Sequence, residues 1–336
     1  MDLHHLSPTR TWIKRGAGQH VAIDRDEFHA DHAIRARLLQ SLALSGMPVV
    51  TDPLPQEMRD LLGEALSQTL ETLSVALLAD EDLVDQVVAT AMRQAMHHRV
   101  GSALPSISII AATRRPERLA IFARTLERQQ SSLPSRAQVI VALHGHAFGA
   151  HSAALIRRHC PQATVLQADP RQPFGAVLQA ACQRAEGDLL TKMDDDDHYA
   201  AHHVWDLALT ATFRAVPLVG RAAEFVHLHT PDVTIRRRFA VTSGLADTVA
   251  GGTIMITRAM LGAVGGWPGS RRFVDRDLLT AVRRAGGTIF RSMPFGYLLV
   301  RHGQGHTWHA SDDWFLNDAV RHWRGCAREQ AGITAG

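Results

Sequence analysis

The chain has 336 residues, of which 46% are hydrophobic and 21% charged, with a formal net charge of +3. That length suggests two domains, or one large domain with an appendage, and that balance suits a globular protein with ample apolar material for a core. No uncharged apolar run reaches the roughly 18 residues of a membrane span, and no dense basic run marks a nucleic-acid groove.

The opening MDLHHLSPTR lacks the basic-then-apolar layout of a secretory signal. Cys160, Cys182 and Cys326 are far apart and odd in number, so neither a disulfide framework nor a cysteine zinc site is expected, and a reducing cytoplasm fits. Of the 36 basic residues only Lys14 and Lys192 are lysines. Arginine suits bidentate phosphate binding, although a GC-rich genome gives the same bias.

Residues 1–30 are polar and poorly periodic. IRARLLQSLALSGMPVVTDPLPQ then reads as helix, glycine turn, short buried strand and loop. Two amphipathic helices follow. The first carries Met58, Leu61, Leu62, Ala65, Leu66, Leu70 and Leu73 on one face, and the second Leu83, Val84, Val87, Val88, Ala91 and Met92. HHRVGSALPS, 97–106, reads as a linker. Short apolar strands then alternate with helical segments. SISIIAA (106–112) leads into a helix with Pro116 in its first turn. QVIVAL (138–143) leads into a helix near 149–159, TVLQA (164–168) into one near 175–186, and DLLTKM (188–193) into one near 200–214. This alternation predicts an α/β domain with a mostly parallel sheet. No internal repeat or low-complexity segment is present.

TKMDDDDHYA, 191–200, sets four aspartates at the carboxyl end of a predicted strand, where open parallel sheets bind ligands. Adjacent carboxylates repel, and without a cation some of their pKa values would rise. A helix N-terminus accounts for one or two aspartates. Four, fused to a strand, point to a hard cation such as Mg²⁺ or Mn²⁺.

At these residues the chain resembles the family 2 glycosyltransferases of the GT-A fold. GDLLTKMDDDDHY resembles their Asp-x-Asp segment, SISIIAATRRPERL the first strand and nucleotide-binding loop, and AVLQAACQRAEGDLL the helix before the Asp-x-Asp strand. VAGGTIMITRAMLGAVGGW resembles the acceptor-side segment, FVDRDLLTAVRRAGGTIF the catalytic segment and its helix, and RHGQGHTW the closing segment. The resemblance spans residues 105–310. It implies a Rossmann-like, mostly parallel mixed sheet flanked by helices at 103–310. A mainly helical accessory domain would occupy 1–100 and a C-terminal helix or tail 311–336.

The implied activity is metal-dependent, inverting transfer from a nucleotide-sugar donor to a hydroxyl acceptor such as a glycan or cell-surface polymer precursor. Asp194 and Asp196 form the Asp-x-Asp pair. Asp196 is the first choice for direct contact with Mn²⁺ or Mg²⁺, and Asp194 or Asp195 for the ribose. Asp197 and His198 are expected to cap the next helix. Asp275 falls where the family has its base, with Asp277 as competitor; the glutamate usual before it is Val274 here. His306 is the expected metal-binding histidine, beside His302 and His309. Ala112, Thr113, Arg114 and Arg115 would line the donor, with Lys192 neutralising the carboxylates when no metal is bound. Gly251 and Gly252 would let an acceptor approach, and Trp267 would stack on a sugar. The second strand ends in His144, Gly145 and His146 rather than the family's aspartates, so the nucleotide base does not carry over. Asp169 or Arg171 are the remaining candidates there.

RARLLQSLALSGMPVVTD is loosely similar to the donor-side helix and strand of GT-B enzymes, but the region is too short for that domain. The accessory domain is open to packing on the catalytic domain, pairing two chains as a homodimer, or positioning the acceptor. Two other readings stand. A nucleotidyltransferase would need a glycine- and lysine-rich phosphate loop, which AATRRPERL lacks. A catalytically silent sugar-nucleotide binding module would tolerate loss of both Asp275 and Asp277.

Overall fold

The computed structural model describes residues 12–15, 18–23, 31–101, 104–302 and 311–334. The chain divides into two units, Met1–Ser102 and Ala103–Gly336.

The first unit contains two strands where the sequence pattern predicts none. β1 (Trp12–Arg15) pairs antiparallel with β2 (Gly18–Ile23), which runs parallel to β3 (Val49–Thr51). Between β2 and β3 lies α1 (His32–Leu44), capped by Asp31. The apolar stripe expected to form a single helix is broken into α2 (Gln56–Leu62) and α3 (Glu64–Leu70). Gly63 separates them at φ +79°, a conformation natural to glycine. The stripe survives the break, and Leu39, Met58, Leu62, Leu66, Leu70 and Ala95 share one core. α4 (Glu81–Val100) starts at Asp80, whose carboxylate accepts from the Leu83 amide at 3.1 Å. It continues to Val100, so the start of the expected linker is helix.

The second unit is α/β. In chain order it runs β4 (Ile107–Thr113), α5 (Leu119–Ser131), β5 (Gln138–His144), α6 (Ala150–His159), β6 (Thr164–Ala168), α7 (Phe174–Cys182) and β7 (Leu189–Met193). It continues with β8 (His198–Tyr199), α8 (His203–Arg214), β9 (Leu218–Arg221), β10 (Phe225–Leu228), β11 (Val233–Arg237), β12 (Gly244–Leu245) and β13 (Met255–Thr257). It ends with α9 (Arg258–Ala263), α10 (Val274–Arg284), β14 (Ile289–Ser292), β15 (Tyr297–Arg301), α11 (Asp312–Asn317) and β16 (Ala319–Arg324). Eight strands form a mixed sheet in the order β12-β14-β9-β13-β7-β4-β5-β6, and five form a second in the order β16-β11-β10-β15-β8. The neighbours β7, β4, β5 and β6 are parallel.

β4 is buried along its whole length, which is why it reads as a continuous apolar run rather than an alternating one. Its residues still alternate between two cores. Ile109 and Ala111 face Phe122 and Leu126 of α5 and Leu207 of α8. Ile110 and Ala112 face Leu178 of α7 and Leu278 and Val282 of α10. The C-terminal segment, expected as helix or tail, departs from that reading: α11 has six residues, and β16 then pairs antiparallel with β11 at the edge of the second sheet. Among the described residues no helix is long and apolar enough to cross a membrane.

Strand direction positions the site. β4 and β7 run parallel and end together. β13 runs against β7, so the turn before β13 lies over the end of β7, with the Lys192 amide donating to the Ile254 carbonyl at 2.8 Å. α10 brings Asp275 to the same place because Leu278, Leu279 and Val282 anchor it in the core. Replacing the fully buried Leu278 by alanine is expected to destabilise this unit by about 2–5 kcal/mol, whereas Arg284→Ala on the exposed face of α10 should stay within about 0.5 kcal/mol. Denaturant unfolding of the two variants checks both.

Candidate active site

The four aspartates leave β7 in one line but enter four different environments. Asp194 faces the ammonium of Lys192, 2.7 Å from Oδ1 and 2.9 Å from Oδ2. Lys192 is only 2% exposed, and its Nζ also lies 3.3 Å from Oδ2 of Asp275. Burial opposes its charge, but the two carboxylates more than offset that and raise its pKa, so the ammonium stays charged.

Asp195 is buried, accepts from the Thr113 hydroxyl and pairs with Nη1 of Arg115. Asp196 pairs with Nη2 of Arg115 at 2.9 Å. Burial and the charge of Asp194 push the Asp196 carboxyl up to about 6. Asp197 does not cap the next helix. It is buried between the sheets, accepting from the Tyr297 hydroxyl at 2.8 Å and the Val300 amide at 2.9 Å. Burial, with Asp196 and Asp194 nearby, raises its pKa well above the usual carboxylate range. His198 does not cap that helix either: it lies in β8, paired with Leu298 of β15, and burial lowers its pKa to about 4.

Gly251 and Gly252 are required here by close packing. A Cβ on Gly251 would lie 2.0 Å from Oδ2 of Asp275. One on Gly252 would lie 2.8 Å from the Tyr199 hydroxyl and 2.9 Å from the carboxylates of Asp194 and Asp197. The turn therefore reaches the carboxylates only because it has no side chains. Tyr199 closes the arrangement, accepting from the Asp194 amide at 2.9 Å and donating to the Gly252 carbonyl at 3.0 Å. Asp275 is half-buried. Burial raises its pKa while Lys192 opposes the rise, and its Oδ1 is buried without a hydrogen-bond partner.

These groups line one cavity of about 900 Å³, with Ala112, Arg114, Arg115, Lys192, Asp194–Asp197, Gly251, Gly252 and Asp275 around it. Two expected site residues lie elsewhere. Thr113 is 2% exposed and turned onto Asp195 rather than into the cavity. Trp267 is 3% exposed, packed in the core with Leu178 and Leu261, so its ring has no face for a sugar. Arg114 donates to His144, at the end of β5, at 3.0 Å. Asp169 and Arg171 pair with each other at 2.7 Å. His302 lies 3.5 Å from Arg118, and burial lowers its pKa to about 4. His306 and His309 lie outside the described residues.

Three residues escaped the sequence reading. Arg118 donates to the Asp195 carbonyl at 3.0 Å and so holds the aspartate loop from behind. Tyr199 and Tyr297 are the two tyrosines of the chain, and both bind the aspartate segment; that rarity, like that of Lys192, was the available signal. Leaving out Asp197, whose raised pKa favours its neutral form, four carboxylates meet two directly paired cations, Lys192 and Arg115, and the surplus negative charge fits a divalent ion. Among the described residues no three His, Cys, Asp or Glu side chains are grouped to hold a metal. Asp194 and Asp196 suffice for an ion of the Mg²⁺ type, which commonly takes one or two carboxylates and completes its shell with water and substrate phosphates.

A comparison with family models found no match, and neither did one with curated proteins. Among solved structures, the chain is similar to Staphylococcus aureus TarS 1-349, at 13% identity and a TM-score of 0.44 over 58% of this chain and 60% of that one. It is similar to the same fragment in complex with UDP-GlcNAc at 13% identity and a TM-score of 0.47, covering 63% of this chain and 64% of that one. The match to a longer TarS chain has 12% identity and a TM-score of 0.44, over 58% of this chain and 37% of that one. The chain therefore spans less than two thirds of each.

The raised Asp196 carboxyl carries a pH signature. Between pH 4 and 6 the folded protein holds a proton on Asp196 that the unfolded chain has released. Stability in metal-free buffer therefore falls as pH rises through that window, and the penalty persists above it. Asp196→Asn should reduce this dependence, leaving the part that comes from the raised Asp197 and Asp275 carboxyls, and stabilise the metal-free protein at pH 7 by on the order of 1–3 kcal/mol. Thermal unfolding of both proteins from pH 4 to 8 checks the sign.

Proposed function

We propose that this chain is a metal-dependent, inverting glycosyltransferase that moves a sugar from a nucleotide-sugar donor onto a hydroxyl acceptor. The observation that carries the reading is the Asp275 carboxylate, 32% exposed and lining the same cavity as the carboxylates of Asp194 and Asp196. The ammonium of Lys192 lies between Asp194 and Asp275, so a place suited to a cation and phosphates adjoins a proton acceptor.

Asp194 and Asp196 would hold Mg²⁺ or Mn²⁺ together with the donor phosphates. Such an ion supplies Lewis-acid stabilisation of the departing diphosphate. Ala112, Arg114 and Arg115 line the donor end, and the Arg115 guanidinium is fixed by Asp195 and Asp196. Asp275 keeps Oδ2 on Lys192, which favours its ionised form, and its carboxylate takes the proton of the acceptor hydroxyl. The oxygen freed of that proton attacks the anomeric carbon, and the electron pair of the breaking C–O bond leaves with the diphosphate. A single displacement of this kind inverts the anomeric centre.

The donor site is tested by thermal unfolding with UDP, GDP, dTDP and CDP, each with and without Mn²⁺. One nucleotide should raise the melting temperature only with the metal, by mass action, and Asp196→Ala should abolish the rise. No shift with any nucleotide–metal pair would count against the reading. Once the donor is known, Asp275→Asn should lower the transfer rate by roughly 10²-fold or more while leaving donor affinity within a fewfold. Transfer surviving at near wild-type rate would remove Asp275 as the base.

A further inference from the structure

Among the described residues three non-glycine residues have positive φ: Ala215, Asp232 and Phe273. Ala215 ends α8, a usual place for a left-handed residue, and Asp232 sits in the turn joining β10 to β11, where aspartate tolerates that conformation. Phe273 is in neither situation. It begins a helix, at φ +58° and ψ +22°, and supplies α10 with no side-chain cap. A bulky residue is strained there. Packing does not offset the strain either, because Phe273 is 44% exposed. Its ring meets the guanidinium of Arg276, 4.2 Å from the ring centroid and itself exposed. Phe273 and Arg276 line the same cavity as Asp275, the residue proposed to deprotonate the acceptor.

A strained, exposed aromatic two residues before the base is explained by what it presents to the cavity. We infer that Phe273 is the acceptor platform: its ring takes the C–H face of a pyranose and so sets one acceptor hydroxyl against the Asp275 carboxylate. The acceptor is then a carbohydrate ring rather than an open-chain polyol. Stacking buries apolar C–H surface against the ring and needs a cyclic partner with a flat face. Arg276 stiffens the platform from one side through its cation–π contact. Phe273 thereby takes the role that the sequence suggested for Trp267. This inference rests on the transferase reading of the cavity.

The test is saturation-transfer NMR on the full chain, without nucleotide or metal, using methyl β-D-glucopyranoside, methyl β-D-galactopyranoside and glycerol as probes. At least one pyranoside should receive saturation at its ring C–H protons, and glycerol should not. The signal should fall by about fivefold or more, roughly 1 kcal/mol of contact, in Phe273→Gly and Phe273→Asn, and persist in Phe273→Tyr and Phe273→Trp. The glycine and asparagine variants should melt at or above the wild-type temperature, because both relieve the backbone. Overturning results are saturation of neither pyranoside, an unchanged signal in both small variants, or a drop of more than roughly 5 °C in both, which would make the ring a structural element. Because no donor is present, a stabilising nucleotide together with pyranosides that ignore Phe273 would remove the platform and leave the donor site standing.

Discussion

The second unit is organised around one buried ammonium. Lys192 sits in β7 between β4 and β13, with its charge almost wholly removed from water. A buried charge without partners is costly enough that the surrounding structure must supply them. Asp194, two residues on, lies on the same side of the strand end and supplies one. Asp275 supplies the other from α10, which fixes where that helix begins. Both carboxylates then fill the space where side chains of the next turn would lie, so that turn is Gly251–Gly252. Strand, helix and glycine turn thus follow from neutralising a single residue.

The same need for partners separates the four aspartates. Asp197 is tied to the second sheet by Tyr297 and Val300, and Asp195 is tied to β4 by Thr113 and Arg115. Asp194 and Asp196 keep oxygens toward the cavity, and the raised Asp196 carboxyl reports the excess of negative charge there. A run of like charge is stable in this fold because each member has its own partner: Lys192 for Asp194, Thr113 and Arg115 for Asp195, Arg115 for Asp196, and Tyr297 with Val300 for Asp197.

The parallel half of the large sheet was readable because its strands are buried on both faces and stand out as short apolar runs between helices. The aspartates were readable because four like charges directly after such a strand repel one another unless something positive joins them. What escaped has physical causes. β1, β2 and β16 are short and mixed in polarity, so pairing rather than pattern makes them strands. Gly63 breaks a helix whose apolar stripe runs on unbroken. An aromatic in a glycine-rich turn looks the same whether it faces a ligand or the core, and Trp267 faces the core. The Lys192–Asp275 pair spans 83 residues. Lys192 was conspicuous as one of two lysines, but only the fold shows that it pairs with Asp275 as well as with Asp194.

Strain and packing meet on α10. Its outer positions are polar, while Leu278, Leu279 and Val282 are locked into the core beneath the sheet. The Asp277 amide donates to the Phe273 carbonyl at 2.9 Å, which ties the first turn to the strained residue. A left-handed phenylalanine persists only where its surroundings over-determine it. Here the helix is fixed by the core on one side and by the Lys192–Asp275 pair at its first turn. The chain entering α10 has to arrive at the angle those two constraints leave. An asparagine or glycine would meet that angle with less strain. That phenylalanine stands there, 44% exposed and lining the cavity, is what the platform reading explains and packing alone does not.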